Sequence, residues 1–168
     1  MDVIDLAKSV SDFAIVGEGN VSIRKDNNLL IKASGTGLDT LTYEDLVECN
    51  LQGDPLEGQS KKPSMEVSFH AWILKNFKEI NCVCHTHPVN TNKILCSEQV
   101  TNFVSKRLFP DQVVRNGTKS CFVPYATPGL KLRNCIKECV EKFINQEKYF
   151  PKLILLQNHG IITAAPTV

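Results

Sequence analysis

The sequence predicts an α/β domain in which helices pack on a central sheet. Segments with apolar residues at helical spacing alternate along the chain with short apolar runs typical of strands, and the two kinds are not segregated. A chain of 168 residues can bury a sizeable core but is short for two ordinary domains. Its composition, 42% hydrophobic and 22% charged, is that of a folded domain. We therefore expect residues 1–168 to form a single domain with one principal site.

The first half of the chain predicts one long helix and three strands. Residues 2–13 place apolar side chains at roughly helical spacing, which predicts an opening helix. A glycine-rich turn then leads into two short strands at 21–24 and 29–33, which a hairpin turn joins. Thr42 is followed three residues later by an acid, a capping box that predicts a short helical turn before a strand at 47–51.

The second half continues the alternation of helices and strands. Ser64 is a good N-cap for a helix over 65–77, whose apolar residues we expect to be largely buried. A strand with buried character follows at 80–85, and Pro88 interrupts the regular structure after it. The remaining elements that the sequence predicts are helices at 90–95, 99–108 and 130–146 and strands at 121–124 and 153–157.

Charge and hydropathy exclude several classes of partner. The 19 Lys and Arg residues are scattered and balanced by 18 Asp and Glu, so no strong field attracts nucleic acid or an anionic membrane. No apolar stretch approaches the roughly 20 residues of a membrane span, and Asp2 and Asp5 interrupt the first segment where a signal peptide would be apolar. We expect a cytoplasmic protein that binds neither nucleic acid nor a membrane.

The cysteines indicate free thiols. Their number, seven, is odd, and the chain is not small enough to need a disulfide framework. Cys82 and Cys84 alternate along a predicted strand, and Cys135 and Cys139 lie four apart in a predicted helix. This spacing is typical of thiols packed as small apolar side chains and differs from the C-x-x-C of redox and zinc-ribbon sites.

The histidines predict a metal site. His85 and His87 end an apolar strand, and residues two apart on a strand point to the same face. His159 ends a second apolar strand, so a third imidazole can reach the same edge of the sheet. Three imidazole nitrogens with an open fourth position are typical of a catalytic zinc. The alternative, in which H-x-H is a pair of ordinary surface or core histidines, is weakened by the third histidine.

Glu66 supplies a carboxylate near the predicted metal site. It lies close to the start of a predicted helix, 19 residues before His85. A carboxylate there could be a fourth metal ligand, a general base, or both at different stages. A plain acid favoured by the helix dipole explains the position equally well, so both interpretations stay open.

Two small-residue loops and one helix start predict an anion site. Gly19-Asn20 and Ser34-Gly35 combine exposed backbone N–H groups with Asn and Ser side chains, and Ser64 adds the N-terminus of a predicted helix. Such groups can hold a phosphate without a basic patch. Each loop alone is more often a turn than a ligand site.

Six short motifs, taken in order, resemble the class II aldolase/adducin family. They are Gly-Asn-x-Ser at 19–22, Ser-Gly at 34–35, Pro-Ser-x-Glu at 63–66, His-x-His-Pro at 85–88, Pro-Tyr-Ala-Thr-x-Gly at 124–129 and Leu-Leu-Gln-Asn-His-Gly at 155–160. The resemblance spans nearly the whole chain. It implies a three-layer α/β/α domain with a central, largely antiparallel sheet, and a homotetramer with active sites at subunit boundaries.

The resemblance also implies roles for individual residues. The implied zinc ligands are His85, His87 and His159, the implied catalytic acid/base is Glu66, and the implied phosphate-binding residues are Asn20, Ser34, Gly35 and Ser64. The implied activity is that of a zinc-dependent lyase, an aldolase that cleaves a small ketose phosphate through a metal-stabilised enediolate. Other divalent ions are compatible with three imidazoles.

The sequence departs from the family pattern at three places. The family's aldolases use a Tyr as a proton donor in the helix after H-x-H, where this chain reads Val-Ser-Lys-Arg at 104–107. Met65 stands where sugar-phosphate aldolases usually have a second Ser. The chain ends at Val168, and we expect it to lack the family's C-terminal tail. Tyr125, in the Pro-Tyr-Ala-Thr motif, has a structural role as its default interpretation.

Several alternative functions remain open at this point. An epimerase, a dehydratase or a decarboxylase of the same family would use the same enediolate chemistry. A non-catalytic, adducin-like interaction module would use the fold without the metal, although all three histidines and Glu66 are present. A structural metal would normally be enclosed by four protein ligands, which commonly include Cys.

Overall fold

The chain forms one mixed sheet of seven strands in a computed structural model that describes residues 2–15 and 17–167. The strands are β1 (Asn20–Lys25), β2 (Asn28–Lys32), β3 (Leu46–Asn50), β4 (Cys82–Thr86), β5 (Cys121–Val123), β6 (Ile154–Leu156) and β7 (Gly160–Ala165). Their order across the sheet is β3-β2-β1-β4-β7-β6-β5. All neighbouring pairs are antiparallel except β5 and β6, which are parallel.

Six α-helices and two short 3₁₀ turns accompany the sheet in the described part of the chain. The helices are α1 (Val3–Val10), α2 (Val67–Asn76), α3 (Val89–Leu95), α4 (Val100–Ser105), α5 (Pro110–Asn116) and α6 (Leu130–Glu147), and the 3₁₀ turns are Ser11–Phe13 and Tyr43–Asp45. The predicted capping box at the second turn is present, since the Asp45 carboxylate accepts from the Thr42 backbone N–H at 3.0 Å. Among the described helices, none has the length and apolar character to cross a bilayer.

The helices pack on both faces of the sheet. On one face, α2 and α6 enclose the largest core cluster, which includes Val83 of β4 and Ile154 of β6. On the other face, α1 packs over Cys84 of β4, while α3 and α4 pack over Leu155 of β6. Successive strand residues therefore point to opposite cores, as the pleat requires. This arrangement confirms the expected three-layer α/β/α fold with a largely antiparallel sheet.

The helix predicted over 65–77 begins two residues later than expected. Val67 is its first residue and Glu66 occupies the N-cap position, so the prediction of Ser64 as N-cap is wrong. Ser64 is instead held to the preceding strand, because its backbone N–H donates to the Lys32 carbonyl at 3.0 Å. A turn follows, closed by the Val67 N–H and the Ser64 carbonyl at 3.0 Å. The turn places Glu66 at the N-terminus of α2.

Two other segments differ from the sequence prediction. The helix predicted over 99–108 is shorter, and α5 follows it with Pro110 at its start, a position that suits the fixed φ of proline. The side chain of Arg107 donates to the Gly117 carbonyl at 2.9 Å and ties these segments together. The sequence analysis also missed β7, whose Gly160 start is typical of a turn, although it lies near the centre of the sheet.

The seven cysteines are free thiols, as expected. Cys82 and Cys84 are buried, whereas Cys135 and Cys139 are partly buried against the core of α2 and α6. Burial raises the pKa of Cys84 to about 12, so this thiol stays protonated at neutral pH. Cys96 is exposed.

Candidate metal centre and substrate cavity

Three histidines converge at one edge of the sheet. His85 is the fourth residue of β4, His87 follows that strand, and His159 lies in the tight turn between β6 and β7. The Nε2 atoms of His85 and His87 are 2.9 Å apart, and one ligand atom from each of the three rings lies within 4.8 Å of the others. This spacing suits a single ion bound by all three rings.

A glycine makes room for these rings. Asn158 adopts a left-handed conformation with φ of 56°, and the turn brings Gly160 against the H-x-H segment. A Cβ atom on Gly160 would lie 2.5 Å from the Thr86 carbonyl oxygen and 2.6 Å from Cδ2 of His87. Both distances are far below van der Waals contact, so only glycine fits between β7 and the histidines at this position.

The far sides of two rings are fixed by hydrogen bonds. His85 Nδ1 donates to the Ile161 carbonyl at 2.8 Å, and His87 Nδ1 donates to Glu18 Oε2 at 2.7 Å. A neutral imidazole with hydrogen on Nδ1 presents a lone pair on Nε2. Both Nε2 atoms are therefore free to act as metal ligands, and each ring is oriented as metal-bound histidines usually are.

The grouping of acceptor atoms at the centre fits a cation. Two Nε2 lone pairs face each other at 2.9 Å, and the Glu66 carboxylate adds Oε2 at 3.2 Å from His85 Nε2 and Oε1 at 3.3 Å from His159 Nε2. Glu66 Oε1 is buried and has no hydrogen-bond partner among the described residues. Buried acceptors that lack a donor are costly, and a divalent ion would offset the mutual repulsion. Imidazole and carboxylate ligands suit zinc and other first-row metals.

A chain of buried hydrogen bonds holds the Glu66 carboxylate. Asn20 Nδ2 donates to Glu66 Oε2 at 2.9 Å, and the Asn20 oxygen accepts a short hydrogen bond from His70 Nε2. His70 Nδ1 in turn accepts from Ser22 Oγ at 2.7 Å. In this series of three hydrogen bonds, each donor is directed toward the Glu66 carboxylate. The sequence analysis missed His70 and Ser22 as site residues, although His70 lies four residues after Glu66, the spacing of one helix face.

Electrostatics favour the protonation states that a metal requires. Burial raises the pKa of Glu66, but a hydrogen bond and a positive charge from His85, when that ring is protonated, outweigh burial together with the Asn20 amide and bring the pKa down to about 2. Burial lowers the pKa of His159 to about 4, and a positive charge on His85, when that ring is protonated, acts in the same direction. At neutral pH the site therefore holds an ionised carboxylate and a neutral His159 imidazole, which are the metal-binding forms.

A cavity of about 280 Å³ opens in front of these groups. Of the eight residues predicted for the site, seven line it and His85 is buried behind it. The seven are Asn20, Ser34, Gly35, Ser64, Glu66, His87 and His159. The side-chain amide of Asn20 is engaged with Glu66 and His70, so it positions the carboxylate. The structure thus brings the predicted metal and phosphate groups into one space.

Lys32 is a cavity residue that sequence analysis missed. It is buried at the end of β2, next to the Ser34-Gly35 loop, and its Nζ donates to the carbonyls of Ala33 and Thr36. Burial lowers the pKa of this lysine, while Asp45 acts in the opposite direction. The signal was a lysine at an inward-pointing position of an apolar strand, which usually means a buried partner or a ligand.

Two side chains from the divergent motifs are exposed. Met65, in place of the expected second serine, lines the cavity and is 79% exposed. Tyr125 is 59% exposed, and its backbone N–H donates to Gln157 Oε1 at 3.1 Å. The Tyr125 ring therefore contributes little to the core.

Comparison with known proteins agrees with this architecture. Residues 6–168 match the family described as Class II Aldolase and Adducin N-terminal domain. The chain is 33% identical over 151 residues to L-fuculose phosphate aldolase of Methanococcus maripaludis, covering 89% of this chain and 74% of that protein. It is 28% identical over 152 residues to 3-oxo-tetronate 4-phosphate decarboxylase of Haemophilus influenzae, covering 89% and 68%.

Solved structures share the fold. An L-fuculose 1-phosphate aldolase superposes with a TM-score of 0.77 at 21% identity, covering 99% of this chain and 77% of that one. YgbL from Klebsiella pneumoniae gives a TM-score of 0.77 at 24% identity, covering 98% and 77%. The family match over nearly all of the sequence, together with the shared fold, shows that this chain belongs to the class II aldolase and adducin family.

Proposed function

We propose that this protein is a divalent-metal-dependent lyase that acts on a small sugar phosphate, with zinc as the favoured ion. One observation carries the proposal: three imidazoles and a buried carboxylate converge beside a cavity that is also lined by Ser34, Gly35 and Ser64. Metal-binding and anion-binding groups in one cavity suit a phosphorylated ketose. The names of two relatives, L-fuculose phosphate aldolase and 3-oxo-tetronate 4-phosphate decarboxylase, specify small phosphorylated substrates.

The metal end of the cavity would carry the reaction. His85, His87 and His159 would hold the ion, which when bound supplies a positive charge that stabilises an enediolate. Glu66 lies within 3.3 Å of two of these imidazoles and is the residue we assign to proton transfer. The hydrogen-bond chain through Asn20 and His70 keeps its carboxylate aimed at the same point.

The polar groups of the loops that also line the cavity would bind the phosphate. Ser34 and Ser64 offer hydroxyl groups, and Gly35, with φ of 81°, offers a backbone turn whose own N–H can face an anion. The Ser34 N–H donates instead to the Lys62 carbonyl at 2.9 Å. Lys32 adds a positive charge beneath this loop. We call Ser34, Gly35, Ser64 and Lys32 the phosphate cradle. The side-chain amide of Asn20 is used in holding Glu66, so in this proposal Asn20 borders the cradle and does not form its centre.

A second candidate reaction is decarboxylation of a phosphorylated 3-oxo acid. Aldol cleavage requires a group that takes a hydroxyl proton from the departing fragment, whereas loss of carbon dioxide does not. The family's aldolases use a Tyr in this part of the chain, but residues 104–107 read Val-Ser-Lys-Arg, and Val104 of α4 is packed against the core cluster of Leu95 and Leu155. This replacement favours the decarboxylase over the aldolase, while the metal and phosphate groups serve both reactions.

The assembly that the family resemblance implies is also part of the proposal. Three apolar side chains just before or within α5 are exposed in the isolated chain, namely Leu108, Phe109 and Val114. Exposed apolar groups close together are typical of subunit interfaces. Sedimentation velocity would test this: we expect a species of about four chains of 18.7 kDa, and a monomer at every concentration would contradict it.

The reaction can be tested with the metal-loaded protein and the two compounds that the relatives' names suggest. L-Fuculose phosphate would release an aldehyde, and 3-oxo-tetronate 4-phosphate would release carbon dioxide. Turnover lost in His87→Ala would support the lyase and identify its type. Metal-loaded protein that turns over neither compound, nor other ketose and 3-oxo acid phosphates, would contradict the proposal and favour the adducin-like module.

A further inference from the structure

Glu18 lies beside the metal centre and has no role in the function proposed so far. Its Oε2 accepts the Nδ1 hydrogen of His87 at 2.7 Å, on the side of the ring opposite the metal site. We propose that Glu18 is a positioning residue that fixes the tautomer and orientation of His87 and thereby sets the metal affinity of the site. The inference rests on the metal site of the proposed function.

The backbone around Glu18 is built to make this contact. Gly17 and Gly19 flank it with φ of 81° and 71°, a region that side-chain-bearing residues rarely adopt. A Cβ on Gly19 would lie 2.9 Å from the His85 carbonyl oxygen, so the loop passes directly over the H-x-H strand. The Glu18 N–H donates to the Ile15 carbonyl at 2.8 Å and fixes the residue's own backbone. The loop thus brings the carboxylate to the edge of the His87 ring.

The two H-x-H histidines have different kinds of support. The Nδ1 of His85 donates to the main-chain carbonyl of Ile161, which no side-chain substitution removes. The Nδ1 of His87 donates to the carboxylate of Glu18, whose side chain is 45% exposed. Among the described residues, Glu18 is the hydrogen-bond partner of this nitrogen. A carboxylate also increases the electron density on the opposite ring nitrogen, which strengthens it as a ligand. The support of His87 can therefore be changed by substituting Glu18, whereas the support of His85 cannot be changed by a side-chain substitution.

Glu18 can be changed with little risk to folding. Its side chain is half exposed, and it belongs to none of the three core clusters. Glu18→Ala removes the acceptor and its charge, whereas Glu18→Gln keeps an acceptor oxygen and removes only the charge. Loss of such a supporting partner typically lowers metal affinity by about 10-fold to 100-fold. We expect that loss in Glu18→Ala and a smaller one in Glu18→Gln.

The experiment is a zinc titration of the metal-free full chain against a chromogenic chelator. Wild type, Glu18→Ala, Glu18→Gln and His87→Ala would be compared, with exposed Glu57→Ala as a control for the loss of one negative charge. A roughly 10-fold or greater loss in Glu18→Ala, with Glu57→Ala unchanged, is the expected result. Wild type that binds zinc while Glu18→Ala binds within twofold of it would overturn this inference alone. Wild type that binds no divalent metal would overturn both proposals.

A second measurement reads the positioning directly. In the metal-free protein, ¹⁵N NMR of the histidine rings reports which nitrogen of His87 carries the hydrogen. We expect the Nδ1–H form in wild type and a mixture of the two neutral forms in Glu18→Ala. An unchanged His87 tautomer in that variant would contradict the positioning role.

Discussion

The Nε2 atoms of His85 and His87 face each other at 2.9 Å while the opposite nitrogen of each ring is held by an acceptor. Neither Nε2 atom has a hydrogen to offer the other in the neutral rings, so the contact is repulsive unless a positive charge lies between them. Glu66 adds a carboxylate to the same point. The arrangement of these acceptor atoms therefore suits the binding of a metal ion.

Replacing Glu66 by Gln separates catalysis from metal binding. The three imidazoles remain, so we expect zinc content near wild type, while removal of the proton-transferring carboxylate lowers turnover by about 100-fold or more. Parallel measurements of metal content and initial rate test this prediction. Full activity in Glu66→Gln would remove Glu66 from the mechanism.

Gly160→Ala is expected to displace the His87 ring and so to disturb the candidate metal site. The added Cβ would collide with the Thr86 carbonyl and the His87 ring at distances near 2.5 Å. We expect a loss of about 1–3 kcal/mol in the free energy of unfolding, typical of overpacking, together with weaker zinc binding. Gly58→Ala is the control for a glycine replaced away from the site, because a Cβ atom at Gly58 would have no neighbour within 4 Å. Equal zinc affinity in the two variants would contradict the prediction.

Lys32→Met tests the phosphate end of the cavity. The substitution keeps most of the side-chain volume but removes the only charge that we assign to the cradle, and a hydrogen bond to a charged group contributes about 1.5–3 kcal/mol. We expect KM for a phosphorylated substrate to rise by about 10-fold to 100-fold, with zinc content unchanged. Lys62→Met, at an exposed position, is the control. The same KM in both variants would show that Lys32 does not bind the phosphate.

Buried His70 predicts a pH dependence of stability. Burial lowers its pKa from 6.5 to about 3, and a positive charge on His85, when that ring is protonated, acts in the same direction, so the His70 ring is neutral in the folded chain. The unfolded chain binds the extra proton between these values, and stability is therefore lost as pH falls below about 6.5. His70 alone gives a slope of up to about 1.4 kcal/mol per pH unit.

Urea unfolding of the metal-free protein between pH 4.5 and 7.5 measures this effect. His159 and Glu66 add acid sensitivity of the same sign, so the test is the difference in slope between wild type and His70→Gln. A shallower slope in the variant is expected. Identical slopes would mean that the His70 ring does not stay neutral in the folded chain.

Most residues of the candidate site could be proposed from the sequence because they lie in short local patterns. The spacing of His85 and His87 and the position of Glu66 are visible from residue types alone, and the structure brings them together. The fold class followed from the alternation of periodic segments, and the family resemblance gave the strand directions. These features depend on neighbours in the chain.

The missed features depend on contacts between distant segments. Strand β7 was missed because a glycine start normally indicates a turn, and here the glycine is required by rings 73 and 75 residues earlier in the chain. The links from Glu66 through Asn20 to His70, and from His87 to Glu18, span long separations with no local signal. Lys32 was assigned to an ordinary strand because its burial comes from the loop folded over it.

Metal content per chain of the purified protein, measured by elemental analysis, tests the central claim most directly. His85→Ala is the control, because it removes the fully buried imidazole at the back of the site. We predict about one zinc per chain in wild type and a large loss in the variant. A wild-type protein that holds no divalent metal after reconstitution with zinc, manganese or cobalt would contradict the account.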